Sequence, residues 1–165
     1  MKAFASWLVH GAVPMILARL GLGTVYVMLA VHKVLEPIEF LKAVRDYDMF
    51  PLDPPYLMNL TVVALPWVEI TAALLLIFGF WLRASAVLLL VMTAVFTVAV
   101  TVRAFDEMAI QGLPLCEVAF DCGCGQGIVF FCSKFAENVG LCALALLVAV
   151  SRSRRFTLEA LRRSA

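Results

Sequence analysis

The chain has 165 residues, 64% of them hydrophobic and only 15% charged. Soluble domains average about 45–50% apolar and about 25% charged residues, so an ordinary water-soluble domain is excluded, and the length leaves room for one compact unit. A net charge of +1, with no basic patch interleaved with aromatics, gives nucleic-acid binding no support.

Met1-Lys2-Ala3-Phe4 resembles the charged start of a signal peptide. Arg19 interrupts the apolar stretch behind it and no small-residue cleavage site stands out, so a retained first helix is expected. Four stretches are predicted to span a bilayer, at residues 13–31, 58–78, 84–102 and 128–150, each close to the roughly 20 residues a crossing needs. A lipid-exposed backbone must satisfy its own hydrogen bonds, and no alternating strands of about ten residues are present, so the spans are helices. The expected fold is an all-α integral membrane four-helix bundle, a single membrane domain over residues 1–165.

Between the first two spans, the outer loop 33–57 contains Pro37, Pro51, Pro54 and Pro55. Within it, Phe40, Leu41, Val44 and Tyr47 have helical spacing opposite a charged face, which predicts a short interfacial helix over 38–47. A tight turn follows at Gly79–Arg83, and a second outer loop, 103–127, carries Gly112, Pro114 and most of the cysteines. The tail 151–165 is Arg-rich, with Phe156, Leu158 and Leu161 spaced to face lipid. Its arginines fall on the same side as Lys2 and Arg83, whereas Lys33, Lys42, Arg45 and Arg103 on the other side are diluted by acids. The positive-inside rule then predicts cytoplasmic termini. The cysteine loop would face the oxidising periplasm, with the chain in a bacterial inner membrane.

Arg19, Glu69, Lys134 and Glu137 lie within these spans. A charge at the bilayer centre costs about 2.5–3.5 kcal/mol on insertion scales and faces the bundle interior or a cavity. Lys134 and Glu137 share a helix face with Asn138. As structural pairs, Arg19–Glu69 and Lys134–Glu137 would fix helix register. As a functional set, Arg19, Glu69, Lys134, Glu137 and Asn138 would line a polar pocket for a quinone head group or a proton path. His32, at the outer end of the first helix, reads as a solvated anchor.

The loop reads Leu115-Cys116-Glu117-Val118-Ala119-Phe120-Asp121-Cys122-Gly123-Cys124-Gly125-Gln126-Gly127, with Cys132 just beyond. Gly123, Gly125 and Gly127 permit positive φ. A Cys-Gly-Cys bridge closes only with strain and would be readily reduced. Alternatively Cys122 or Cys124 pairs with Cys116 or Cys132; the spacing leaves all pairings open. The chemistry expected is attack by a soluble partner's thiolate on an exposed disulfide in this loop, with a second pair that includes Cys132 passing electrons towards the bilayer. Two other uses compete: purely structural disulfides, or a soft ion such as copper(I) held by Cys122, Cys124 and Cys116 with Met49, Met58 or Met108 nearby. Cys142 lies about 15 Å along the helix from Cys132, too far to bridge it, and reads as packing.

These residues resemble the DoxX/MauE-like membrane proteins over about 19–146. The resemblance is carried by Arg19-x-x-x-Gly23, Lys33, Phe40, Tyr47, Pro66-x-x-Glu69, Gly79, Arg83-Ala84, Cys122-Gly123-Cys124 and Asn138. Gly125-Gln126-Gly127 replaces the Phe common after the second Cys of that motif, and Cys116 and Cys132 stand outside the pattern. The resemblance implies a four-helix bundle engaged in periplasmic thiol–disulfide chemistry beside a thioredoxin-like protein or a larger redox complex. It also implies the quinone-linked electron transfer associated with DoxX-type proteins, and the architecture is similar, by fold-level analogy, to the vitamin K epoxide reductase family, where loop cysteines relay electrons to a membrane quinone. On this view Cys122 and Cys124 exchange with the partner, Cys116 and Cys132 form or resolve the second pair, and the activity is of thiol–disulfide oxidoreductase type. A non-enzymatic assembly subunit is the remaining alternative.

Overall fold

A computed structural model describes residues 12–47 and 55–151. In chain order the elements are α1 (Ala12–Leu35), α2 (Pro37–Asp46), α3 (Pro55–Phe78), α4 (Leu82–Gln111), β1 (Ala119–Asp121), β2 (Ile128–Phe130) and α5 (Phe131–Val150). Helices α1, α3, α4 and α5 are long and apolar enough to cross a membrane. α1 packs along α3, α3 against α4, α4 along α5, and α5 returns to α1, closing an all-α membrane bundle. The start of the chain, Met49, Pro51, Pro54 and the Arg-rich tail lie outside the described residues.

Each spanning helix buries one stripe at helical spacing. On α1 it runs Met15, Arg19, Leu22, Tyr26, Ala30, Lys33, and on α5 Phe131, Lys134, Asn138, Leu141, Ala145, Val148. The outward faces are also apolar, as Leu17, Met28, Val63, Val98 and Leu146 show. Lipid gives no hydrophobic force between helices, so contact relies on small residues that let backbones approach. Ala72, Ala73, Ala86 and Ala145 fill this role in the core. A Cβ at Gly23 would strike Ile77 and come within 3.2 Å of the Ala73 carbonyl.

Two helices run further than their hydropathy predicts. α1 continues through Lys33 to Leu35, and α4 has 30 residues. At ~1.5 Å per residue α4 is about 45 Å long against a hydrocarbon core of about 30 Å. The helix is thus longer than a crossing needs, and in its last turns Arg103 pairs with Glu107 at 2.7 Å. The helix stops at Gly112, whose φ of 64° suits glycine and whose N–H donates to the Met108 carbonyl at 3.0 Å.

This projecting end carries an antiparallel hairpin that the sequence did not announce, with register Ala119↔Phe130, Phe120↔Val129 and Asp121↔Ile128. The expected loop 103–127 is thus helix, then a short connection, then hairpin. α5 begins at Phe131 rather than Ile128 because Ile128–Phe130 form the second strand. Val118, Phe120 and Phe131 pack on Ala99, Val100 and Ala104 of α4 and on Tyr47. The short helix expected over 38–47 is α2, which sets Phe40 and Val44 on Met58 and Val62 of α3. Hairpin and α2 together roof one end of the bundle.

Candidate functional site

The hairpin carries a disulfide at each end. Cys116–Cys132, with Cα atoms 4.9 Å apart, closes its base against the first turn of α5. Cys122–Cys124, with Cα atoms 5.4 Å apart, lies in the connection between the strands. Cys116 is exposed and Cys132 half-buried, whereas Cys122 and Cys124 are 0% and 2% exposed. Cys122 and Cys124, the cysteines expected to exchange with a partner, are thus buried, and the more accessible disulfide is Cys116–Cys132.

The glycines explain that burial. Gly123 and Gly125 have φ of 62° and 83° and press the connection onto the helices below. A Cβ on Gly123 would strike Ala43 of α2, and one on Gly125 would come within 2.6 Å of His32 on α1. Asp121 Oδ1 accepts the Gly123 N–H at 2.9 Å, and Tyr47 donates its hydroxyl to the Cys122 carbonyl at 2.7 Å. Burial, helped by the Asp121 carboxylate, raises the Tyr47 phenol well above its ordinary range, so it remains a donor.

Beneath this loop is a cluster of buried polar groups. Lys33 Nζ donates to both Glu69 oxygens at 2.8 Å. It also lies 5.3 Å from the Phe40 ring centre and 5.8 Å from that of Phe96, within cation–π range. Lys134, 1% exposed, donates to Gln126 Oε1 at 2.9 Å and Glu137 Oε2 at 3.0 Å. Gln126 Nε2 completes the ring by donating to Glu137 Oε1 at 3.1 Å, which ties the cysteine loop to α5. Cys124 Sγ lies 3.6 Å from the same Gln126 Oε1. Tyr26 and Thr93 hydrogen-bond through their hydroxyls.

A cavity of about 30 Å³ is lined by Cys124, Lys33, Glu69, Lys134, Asn138, Tyr26 and Thr93 among others, room for about one water. Asn138 Nδ2 has no hydrogen-bond partner among the described residues. Lys33, Glu69, Met92 and Phe96 also wall a second, apolar cleft of about 240 Å³ between α3 and α4 under α2. Val91 and Val95, both about half exposed on the outer face of α4, form part of its rim, so this cleft opens sideways where lipid would lie.

Of the residues expected to form a polar pocket, the structure brings Glu69, Lys134 and Asn138 to one cavity and adds Glu137 through Gln126. Arg19 is not part of it. It is buried on the same stripe of α1, fourteen residues before Lys33, about 21 Å away along the axis. The expected Arg19–Glu69 pair is replaced by Lys33–Glu69, because Gly23 lies level with Ala73 and Ile77 of the antiparallel α3. Glu69 is then above that level and Arg19 below it. The expected Lys134–Glu137 pair is present at 3.0 Å.

Sequence reasoning missed Lys33, Tyr26, Thr93 and Gln126 as site residues. Lys33 could have been found, since it continues the 15-19-22-26-30 stripe. Gln126 could not, because no periodicity governs a loop. Cys142 is free and half-buried in α5. Cys116 pairs at the far end of the hairpin from Cys122 and Cys124, and Met58 and Met108 pack in separate apolar clusters. Among the described residues no group of three or more His, Cys, Asp or Glu side chains is placed to hold a metal ion.

The family model described as "Methylamine utilisation protein MauE" matches residues 11–151. No curated protein and no solved structure matches the chain.

Proposed function

The chain belongs to the methylamine utilisation protein MauE family, and on that premise we propose that it is a membrane thiol–disulfide redox protein working between a periplasmic thioredoxin-like dithiol and a quinone in the bacterial inner membrane. One observation carries this: of two disulfides on one hairpin, the first is open to water and the second is buried on a polar cluster beside a lipid-facing cleft.

The partner's thiolate attacks exposed Cys116, forming a mixed disulfide and releasing Cys132. The partner's second thiol then displaces Cys116, so the partner leaves as a disulfide and the outer pair as a dithiol. A thiolate of that pair attacks Cys122–Cys124 in turn, passing on the same two electrons and restoring Cys116–Cys132. Opening the outer disulfide removes the covalent closure at the hairpin base, which frees the short strands for this approach.

The cleft between α3 and α4 suits a quinone ring: Phe40 and Phe96 offer aromatic faces and the Lys33–Glu69 pair the polar end. When bound, a quinone accepts two electrons and two protons. Lys33 and Glu69 hold charge and protons at the wall the cleft shares with the Cys124 cavity. The surrounding apolar side chains exclude water.

Trapping tests the proposal. In Cys132→Ser the free Cys116 thiolate can run the exchange in reverse: it attacks the oxidised, disulfide form of the partner, breaks that S–S bond, and is expected to hold the periplasmic protein as a mixed disulfide that Cys132 can no longer release, visible on non-reducing gels. Cellular function that survives loss of all four hairpin cysteines would reduce the disulfides to staples and overturn the proposal. Trapping at Cys122 or Cys124 instead would reverse the order of the two pairs.

A further inference from the structure

Lys134 is a long cation with 1% of its surface exposed, on a helix where a leucine would be cheaper. Its partner Glu137 is only half-buried and does not line the cavity. What Lys134 shares with the cavity is Cys124: the ammonium donates to Gln126 Oε1 at 2.9 Å, and the Cys124 sulfur lies 3.6 Å from the same oxygen. The other nearby ammonium, Lys33, is occupied by two bonds to Glu69.

The two sulfurs of the inner disulfide are not equivalent. Cys122 Sγ accepts the Cys124 N–H at 3.4 Å and its carbonyl takes the Tyr47 hydroxyl, whereas Cys124 faces the cavity. The cavity also presents the Asn138 side chain, 2% exposed, whose Nδ2 lacks a hydrogen-bond partner among the described residues.

We propose that Lys134 is the counter-ion of a Cys124 thiolate. This deepens the redox function above and rests on it. The partner dithiol of that scheme supplies two electrons through the outer pair. The S–S bond of Cys122–Cys124 breaks, one proton goes to Cys122, and the second proton is released to water, leaving Cys124 ionised. Lys134 turns from Gln126 Oε1 to the sulfur, and the Gln126 oxygen keeps no ammonium. Asn138 Nδ2 donates to the thiolate directly or through the cavity water. Lys134 is thus a positioning residue: it selects Cys124, the sulfur on the acceptor side, as the charged one.

Other charged or titratable groups face this sulfur from each packed element. From α1 these are Lys33, Tyr26 and exposed His32 beside Gly125, from α2 and the residue before it Glu39 and Glu36, which line a pocket with Gly123, Gly125 and Gln126, and from α3 Glu69. From α5 it is Glu137 through Gln126, and from the hairpin Asp121, bonded to Gly123. Lys33 and Glu69 offset each other, Glu39 is exposed and paired with Lys42, and His32, Glu36, Asp121 and Glu137 reach solvent, which leaves Lys134 as the dominant field.

The test uses the full chain in detergent, reduced with dithiothreitol. Thiolate absorbance at 240 nm is followed against pH, and short iodoacetamide pulses are read cysteine by cysteine by mass spectrometry. A thiolate at Cys124 titrating below about pH 7.5 is expected, against about 8.5 for a free thiol. Lys134→Met is expected to move it up by at least about one unit and Lys134→Arg to keep it low. The wild-type titration alone decides if Lys134→Met does not fold. Ionisation at Cys122 instead, or an ordinary titration at Cys124, overturns the Lys134 assignment and leaves the redox function standing. An inner disulfide that cannot be reduced without unfolding the chain overturns both.

Discussion

Lys33 and Glu69 form a closed ion pair between α1 and α3: both Glu69 oxygens sit 2.8 Å from the ammonium, and the residues are 7% and 6% exposed. Removing one partner strands a buried charge, which costs about 3–5 kcal/mol. Glu69→Leu and Lys33→Met are each expected to lower the thermal midpoint in detergent sharply, while the double variant recovers most of the loss. Additive losses in the double variant would show that the two do not act as a pair.

Tyr47 bonds the inner disulfide loop to α2 through the Cys122 carbonyl at 2.7 Å. Tyr47→Phe should cost about 1–3 kcal/mol and speed amide exchange over 122–127. Its folded-state pKa is raised by burial, so its contribution is fully present below the unfolded value near 10 and is lost as pH rises through the folded value. Wild-type stability should therefore fall towards that of Tyr47→Phe only in strongly alkaline solution, as measured by denaturation at stepped pH.

The outer disulfide closes a loop with a sequence separation of 16. In the chain-entropy account such a closure contributes about 3 kcal/mol. Double replacement of Cys116 and Cys132 by Ala should make the hairpin the first site cut in limited proteolysis, with α1, α3 and α4 left intact. Unchanged protection would mean that packing of Val118, Phe120 and Phe131 alone holds the hairpin.

Val95 is 54% exposed and lines the lateral cleft. Val95→Trp can fill that cleft from the lipid side without entering the core. Binding of a short-chain quinone, followed by tryptophan quenching or by equilibrium dialysis, should weaken at least about tenfold, or about 1.4 kcal/mol. Equal binding by the variant would place the quinone elsewhere.

Much of the bundle was legible because the bilayer imposes one length and one polarity on every span. The ends were less so: hydropathy falls at Arg103, yet α4 continues to Gln111, since an Arg103–Glu107 pair supports the helix there. The three-residue strands carry too short an alternation to be read, and their register depends on packing against α4.

The sequence by itself determined four apolar spans, the short amphipathic helix after the first, the cysteine-rich loop and the presence of charges inside the bundle, because each is a local pattern of polarity or spacing. Only the tertiary structure decided that Glu69 faces Lys33 rather than Arg19, which follows from the level at which Gly23 lets α1 meet α3. It also decided which sulfurs meet water. Four cysteines on one loop look alike in a sequence, and it is the fit of Gly123 and Gly125 against Ala43 and His32 that buries one disulfide and leaves the other at the surface.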